Sequence, residues 1–173
     1  MATDNGKIAP TPHAIYPGSF DPPTSGHLDV IQRAAAIFPR VTVAVLVNPA
    51  KREPMFTIEE RKAMIRECVS ALAHVDVIDF RGLLADFVKA LDADVIIKGL
   101  RVVSDFENEM STALMNRSLS DVDTMFLMSD QNYSFVSSSL VKEVFFLGGD
   151  VSAYVPDIVL RFMQEKRAKL RSK

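Results

Sequence analysis

Between Tyr16 and His27 the chain reads YPGSFDPPTSGH, a run of turn-forming residues closed by a histidine. Gly18 allows a turn that a side chain would obstruct. Pro22 and Pro23 leave the backbone few conformers. Thr24 or Ser25 can cap a following helix, and Gly26 leaves the helix start open to close approach. His27 then falls in the first turn, where free N–H groups and the positive end of the helix dipole attract anions. A histidine there can donate a hydrogen bond to phosphate. A packed core histidine ahead of Ile31 is the competing reading. Candidate cations recur at Lys51 in NPAKREP and at Lys98 and Arg101 in KGLR. A full charge ~4 Å from a phosphate charge is worth ~4 kcal/mol at an effective dielectric of ~20, before desolvation. Ser137, Ser138 and Ser139 in YSFVSSS add hydroxyls at a further helix start. These residue types suit the handling of polyanions.

Several function classes are excluded or disfavoured. The chain contains neither G-x-x-x-x-G-K-[ST] nor G-x-G-x-x-G, so P-loop and NAD-type binding lack their signals. Net charge is −2 over 173 residues, with no basic excess to draw in nucleic acid. No run approaches the ~18 apolar residues of a membrane helix. The start, MATDNGKIAPTP, reads as a loose tail rather than a signal peptide. A cytoplasmic protein without a membrane partner is the expectation. Cys68 stands alone, in a setting that suits a buried helix position rather than a reactive thiol. The cations Lys166, Arg167, Lys169, Arg171 and Lys173 suit the solvated end of a helix better than a nucleic-acid tail.

These residues need elements to hold them. Apolar, β-branched runs predict strands at 13–16, 41–47, 75–80, 94–98 and 124–128. Helical spacing predicts helices at 26–38, 57–73, 83–91, 104–119, 139–147 and 156–170. Thr57 with Glu60, and Ser104 in SDFE, read as capping boxes. Strand–helix alternation predicts an α/β, Rossmann-like doubly wound sheet of five parallel strands flanked by helices. One domain over 13–173, after a tail at 1–12, is expected. Ligands of such sheets bind beyond the carboxyl ends of the strands, and there the informative loops all fall.

Thr24, Gly26 and His27 match the T-x-G-H signature of the nucleotidyltransferase superfamily. YPGSFDPPTSGHLDVIQRA, PMFTIEERK, IKGLRVVSDFENEM, MNRSL and SFVSSSLVKEV, in unbroken order, closely resemble bacterial phosphopantetheine adenylyltransferases. The resemblance covers roughly residues 14–163. It implies that ATP and 4′-phosphopantetheine give dephospho-coenzyme A and pyrophosphate, with Mg²⁺ accompanying ATP, in a homohexamer. A phosphate monoester has a second pKa of ~6 and is already mostly dianionic near neutrality. No general base is required, only in-line positioning and neutralisation of charge. Metal ligands are not indicated, since no dense carboxylate cage is present.

By the same resemblance, His27 contacts the ATP phosphates and stabilises the transition state, with Lys51 and Arg101 as further catalytic cations. Ser19 and Phe20 meet phosphate and substrate. Lys51 reaches the reacting phosphates or the pantetheine phosphate, and the neighbouring Arg52 competes for that role. Leu84 lines the pantetheine side. Lys98 stands where the family commonly has Arg, which keeps the charge but loses the bidentate fork, so its contact with the substrate phosphate is expected to survive with altered geometry. Gly99, Leu100 and Arg101 form the ATP-binding turn, and Glu109 holds the ribose. The stretch Tyr133, Ser134, Phe135, Val136, Ser137, Ser138, Ser139 is a second nucleotide-binding signature. Competing readings are a nicotinamide-mononucleotide adenylyltransferase or cytidylyltransferase, a non-catalytic nucleotide-binding module, and a fragment of a class I aminoacyl-tRNA synthetase. The last is disfavoured by the short chain and by the absence of a lysine-rich loop of the KMSKS type.

Overall fold

The two most fully buried strands take the middle of the sheet. β1 (His13–Gly18) and β2 (Arg40–Leu46) are buried along nearly their whole length, as strands covered on both faces must be. β3 (Val75–Phe80), β4 (Val95–Leu100) and β5 (Asp123–Met128) complete a five-stranded sheet in the order β3-β2-β1-β4-β5. Every pairing is parallel, so the expected doubly wound α/β architecture is observed. The computed structural model describes residues 11–47 and 54–171. Most of the expected tail, and both Lys51 and Arg52, lie outside the described residues. The edge strands differ from the expectation of apolar character on both faces. Asp76 and Asp79 interrupt β3, and β5 alternates between exposed and half-buried positions.

Successive side chains along the central strands supply opposite faces of the sheet. Ala14, Tyr16, Val41, Val43 and Ile97 meet α1 (Ser25–Ile37) and α2 (Ile58–Cys68) through Val30, Ile31 and Ile65. Ile15, Ala44 and Ile96 meet α3 (Leu84–Ala90) through Val88 on the other face, where α4 (Val103–Ser120) packs beside α3. A third cluster joins Phe56 and Met64 to α5 (Ser138–Phe146) and α6 (Asp157–Arg171), with Val159 and Met163 fully buried.

The strand order reverses between β1 and β4, and there the pairing is short. β1 registers with β2 from His13↔Arg40 to Gly18↔Val45, yet with β4 only through Ala14↔Val95 and Ile15↔Ile96. Beyond Ile15 the two strands part, opening a cleft toward their carboxyl ends.

Caps locate the helices. Thr57 accepts the Glu60 amide at 3.1 Å, and Glu60 accepts the Thr57 amide at 2.7 Å, the expected capping box. Ser104 is not a cap: α4 begins at Val103 with Val102 as N-cap, a side chain with no oxygen to offer. α2 ends at Cys68 rather than running on to residue 73. Leu72 donates to the Val69 carbonyl and Val75 to the Leu72 carbonyl, two tight turns that reverse the chain into β3. Cys68 is half-buried, and burial pushes its thiol up to about 11, which makes it the inert helix thiol expected. Lys166 bonds Glu60, and Arg167 stacks 4.4 Å over the Phe145 ring, so both terminal cations bind α6 to its neighbours.

Candidate functional site

A cavity of 430 Å³ fills the cleft where β1 and β4 part. Its floor is the end of β1, its far wall the end of β4, and its roof the start of α5. This is the switch point at which a doubly wound sheet binds ligands. Ser19, His27, Lys98, Gly99, Arg101, Glu109, Tyr133, Val136, Ser137, Ser138 and Ser139 all line it. Phe20, Leu84, Leu100, Ser134 and Phe135 do not.

His27 is held by its own helix start. Thr24 is the N-cap of α1, and its backbone N–H donates to His27 Nδ1 at 3.0 Å. An amide is always a donor, so Nδ1 must accept, and the ring proton resides on Nε2. Burial and the nearby Arg101 guanidinium push the imidazole down to about 4. His27 is therefore not the cation the sequence suggests. It is a neutral ring offering one N–H toward the cavity.

Phe20 explains the ring's firm seat. It is 1% exposed and adopts φ of 47°, left-handed backbone that a bulky side chain rarely takes. Its ring meets Tyr16 and His27 edge-on, at centroid distances of 5.5 and 5.1 Å. Phe20 thus braces the histidine without itself lining the cavity. Gly26 admits Tyr133, whose Cβ would stand 3.2 Å from any Cβ added there.

Lys98 and Glu109, expected to contact different substrates, meet each other at 3.1 Å. The three serines divide their work. Ser137 caps α5 by accepting the Leu140 amide at 3.1 Å, and Ser138 donates to the Pro22 carbonyl at 2.8 Å. Ser139 lines the cavity beside them. Arg101 donates to the Val136 carbonyl at 3.2 Å, joining the β4 turn to the serine segment. The N–H groups and dipole at the start of α5 add an anion-attracting end.

Leu84 packs instead against the core under α3, and Phe135 lies edge-on to Tyr154 at 5.4 Å in a small apolar groove beside α5. Tyr16, Pro17, Leu46 and Ser129 also line the cavity, although motif reading did not single them out. Their signal was positional: each sits at or just past a strand's carboxyl end. Among the described residues no group of three or more His, Cys, Asp or Glu could hold a metal. No helix among them is long and apolar enough to cross a membrane.

Residues 15–144 match the Cytidylyltransferase-like family model. A phosphopantetheine adenylyltransferase of Natranaerobius thermophilus is 51% identical over 91% of this chain and 97% of its own. One from Alkaliphilus metalliredigens is 54% identical over 88% of this chain and 97% of its own. One from Clostridium perfringens is 50% identical over 91% and 96%. A solved structure from Vibrio parahaemolyticus, assigned as a nicotinate-nucleotide adenylyltransferase, superposes with a TM-score of 0.64 at 16% identity, covering 89% of this chain and 99% of that one. At that identity the likeness speaks for the fold alone.

Proposed function

The chain belongs to the phosphopantetheine adenylyltransferases, and from that premise we propose how its cavity carries the reaction. The adenylyl group of ATP passes to the phosphate of 4′-phosphopantetheine, giving dephospho-coenzyme A and pyrophosphate. The observation that carries this reading is His27. It is a neutral Nε2–H donor beside Arg101, set between the β4 turn and the serine-bearing start of α5.

In the reaction a phosphate oxygen of 4′-phosphopantetheine forms a bond to the α-phosphorus of ATP. The bond from that phosphorus to the bridging oxygen breaks, and the electron pair leaves with pyrophosphate. The attacking group is already anionic, so the site needs no base. It needs donors aimed where charge develops. His27 Nε2–H serves the α-phosphate, and a neutral donor does so without collapsing into a tight ground-state ion pair. Arg101 neutralises the polyphosphate, and the α5 start receives its outer oxygens. Glu109 suits the ribose hydroxyls, and Lys98 the incoming phosphate, once substrates part that pair. Magnesium belongs to the proposal as ATP's companion, held by phosphate oxygens and water. Glu109 and the serine hydroxyls of the α5 start would face a metal that arrives with its substrate, and that metal would supply further neutralisation of charge.

We also propose a cytoplasmic setting and a homohexamer. The assembly is supported by a stripe of apolar side chains, Phe106, Met110 and Leu114, exposed along α4. Beside it runs the edge strand β5, with Met125 and Met128 exposed.

Purified protein given ATP, Mg²⁺ and 4′-phosphopantetheine should release pyrophosphate. Release with nicotinamide mononucleotide instead would overturn the substrate assignment. ATP binding without any release would favour a regulatory module.

A further inference from the structure

A buried carboxylate ties together three segments, two of which, the first loop and the start of α5, line the cavity. Asp21 lies in the first loop and is 7% exposed. Its Oδ1 accepts the Phe56 amide at 2.9 Å. Its Oδ2 accepts the Met55 amide at 3.1 Å and the Lys142 ammonium of α5 at 2.7 Å. Arg61, 5% exposed, grips the same residue at its carbonyl. Its Nε donates to the Phe56 carbonyl at 2.9 Å, and its Nη1 to the Ser19 carbonyl at 2.9 Å. Neither Asp21, Arg61 nor Lys142 lines the cavity.

Buried charges are costly to desolvate, and a hydrophobic replacement is often neutral or stabilising. Their presence under a reaction site points to orientation rather than stability. On the function proposed above, the clamp joins segments assigned to the two substrates. Met55 and Phe56 end the segment that carries Lys51 and Arg52. Lys142 stands on the helix whose start faces the cavity.

We propose that Asp21, clamped by Lys142, is a positioning residue for adenylyl transfer. It holds the first loop, the Met55–Phe56 peptide and α5 as one body, and so sets the 4′-phosphopantetheine side against the ATP side. This rests on the function proposed above. In-line attack tolerates little misplacement of the reacting groups. Loosening the clamp therefore disturbs alignment before it disturbs nucleotide binding.

The test uses Lys142→Met, Lys142→Arg and Asp21→Asn in the full chain. Lys142→Met should lower kcat at least about tenfold and raise KM for 4′-phosphopantetheine. Affinity for a non-hydrolysable ATP analogue, measured by calorimetry, should stay within about twofold. Lys142→Arg should restore most of the loss, because it returns the cation. Hydrogen exchange at the Met55 and Phe56 amides should quicken at least about tenfold in Lys142→Met and Asp21→Asn, while β2 amides keep their rates. Lys142 is partly solvent-accessible, so its variants carry the test should Asp21→Asn fail to fold. A parallel loss in both substrates, unchanged kinetics, or unchanged exchange at Met55 and Phe56 would each overturn the proposal. If the wild type releases no pyrophosphate, the function assignment fails, while the exchange measurement still decides the clamp.

Discussion

At the scale of single residues, His27 changes meaning most. As a neutral donor it should matter to the transition state more than to binding. His27→Ala is expected to lower kcat by about 10²–10³, the size seen when one donor to a developing charge is removed. ATP affinity should shift only a few-fold. Equal losses in both, measured by kinetics and calorimetry, would make His27 a mere binding group. Lys98→Met should raise KM for 4′-phosphopantetheine about tenfold, the worth of one charge-assisted hydrogen bond, and Lys98→Arg should keep most of it. An unchanged KM for Lys98→Met would remove Lys98 from the substrate's phosphate. The sequence made His27 and Lys98 visible as candidates because one follows an apolar run and the other closes one. It could not show the charge state of His27. That depends on burial, on Arg101 and on an amide three residues back turning toward the ring. Nor could it show that Lys98 meets Glu109, since that depends on how α4 packs back against β4.

At the scale of elements, strand positions were legible and helix ends less so. Valine and isoleucine runs declare buried strands, and β3 falls where the pattern places it, at Val75–Phe80. Helix ends depend on competing turns, as at Cys68, and on backbone that needs no side-chain cap, as at Val102. Where a box is present it should count. Thr57→Ala should cost about 1 kcal/mol in chemical denaturation. Burial opposes ionisation of Glu60, yet the Thr57 amide and Lys166 outweigh it and hold the carboxyl below its usual value. That contribution is present above the unfolded carboxylate value of about 4.3 and is lost as pH falls through the lower folded one. The last helix lies beyond the family model's residues 15–144, but Met163 is fully buried with Phe56 and Val136. Met163→Ala is expected to cost about 2–5 kcal/mol. A loss under about 1 kcal/mol would mean that α6 is a dispensable addition.

At the scale of the whole molecule, two imidazoles, His13 buried and His27 half-buried at the cavity wall, set an acid limit. Burial lowers both His27 and His13, helped by Arg101 and Arg40 respectively. Unfolded imidazole titrates near 6.5, so below that pH the unfolded chain binds more protons and stability falls as pH drops toward about 4. The full penalty from His27 is on the order of 3 kcal/mol. The urea midpoint should be lower at pH 5 than at pH 7.5, and equal midpoints would contradict the assigned neutrality. Light scattering should report an assembly rather than a monomer, and Leu114→Glu should shrink it if the exposed stripe on α4 is an interface. The short pairing of β1 with β4 has one more consequence, a mechanical one. The sheet is two leaves, β3-β2-β1 and β4-β5, bound along a seam of two residue pairs. A nucleotide bound as proposed would touch both leaves and act as a staple across the spine. At a hundredfold excess over Kd it should add about 2.7 kcal/mol to global stability. The added protection against exchange should gather at Gly99 and Lys98 rather than at Val43, because the staple closes the leaves where the backbone left them open.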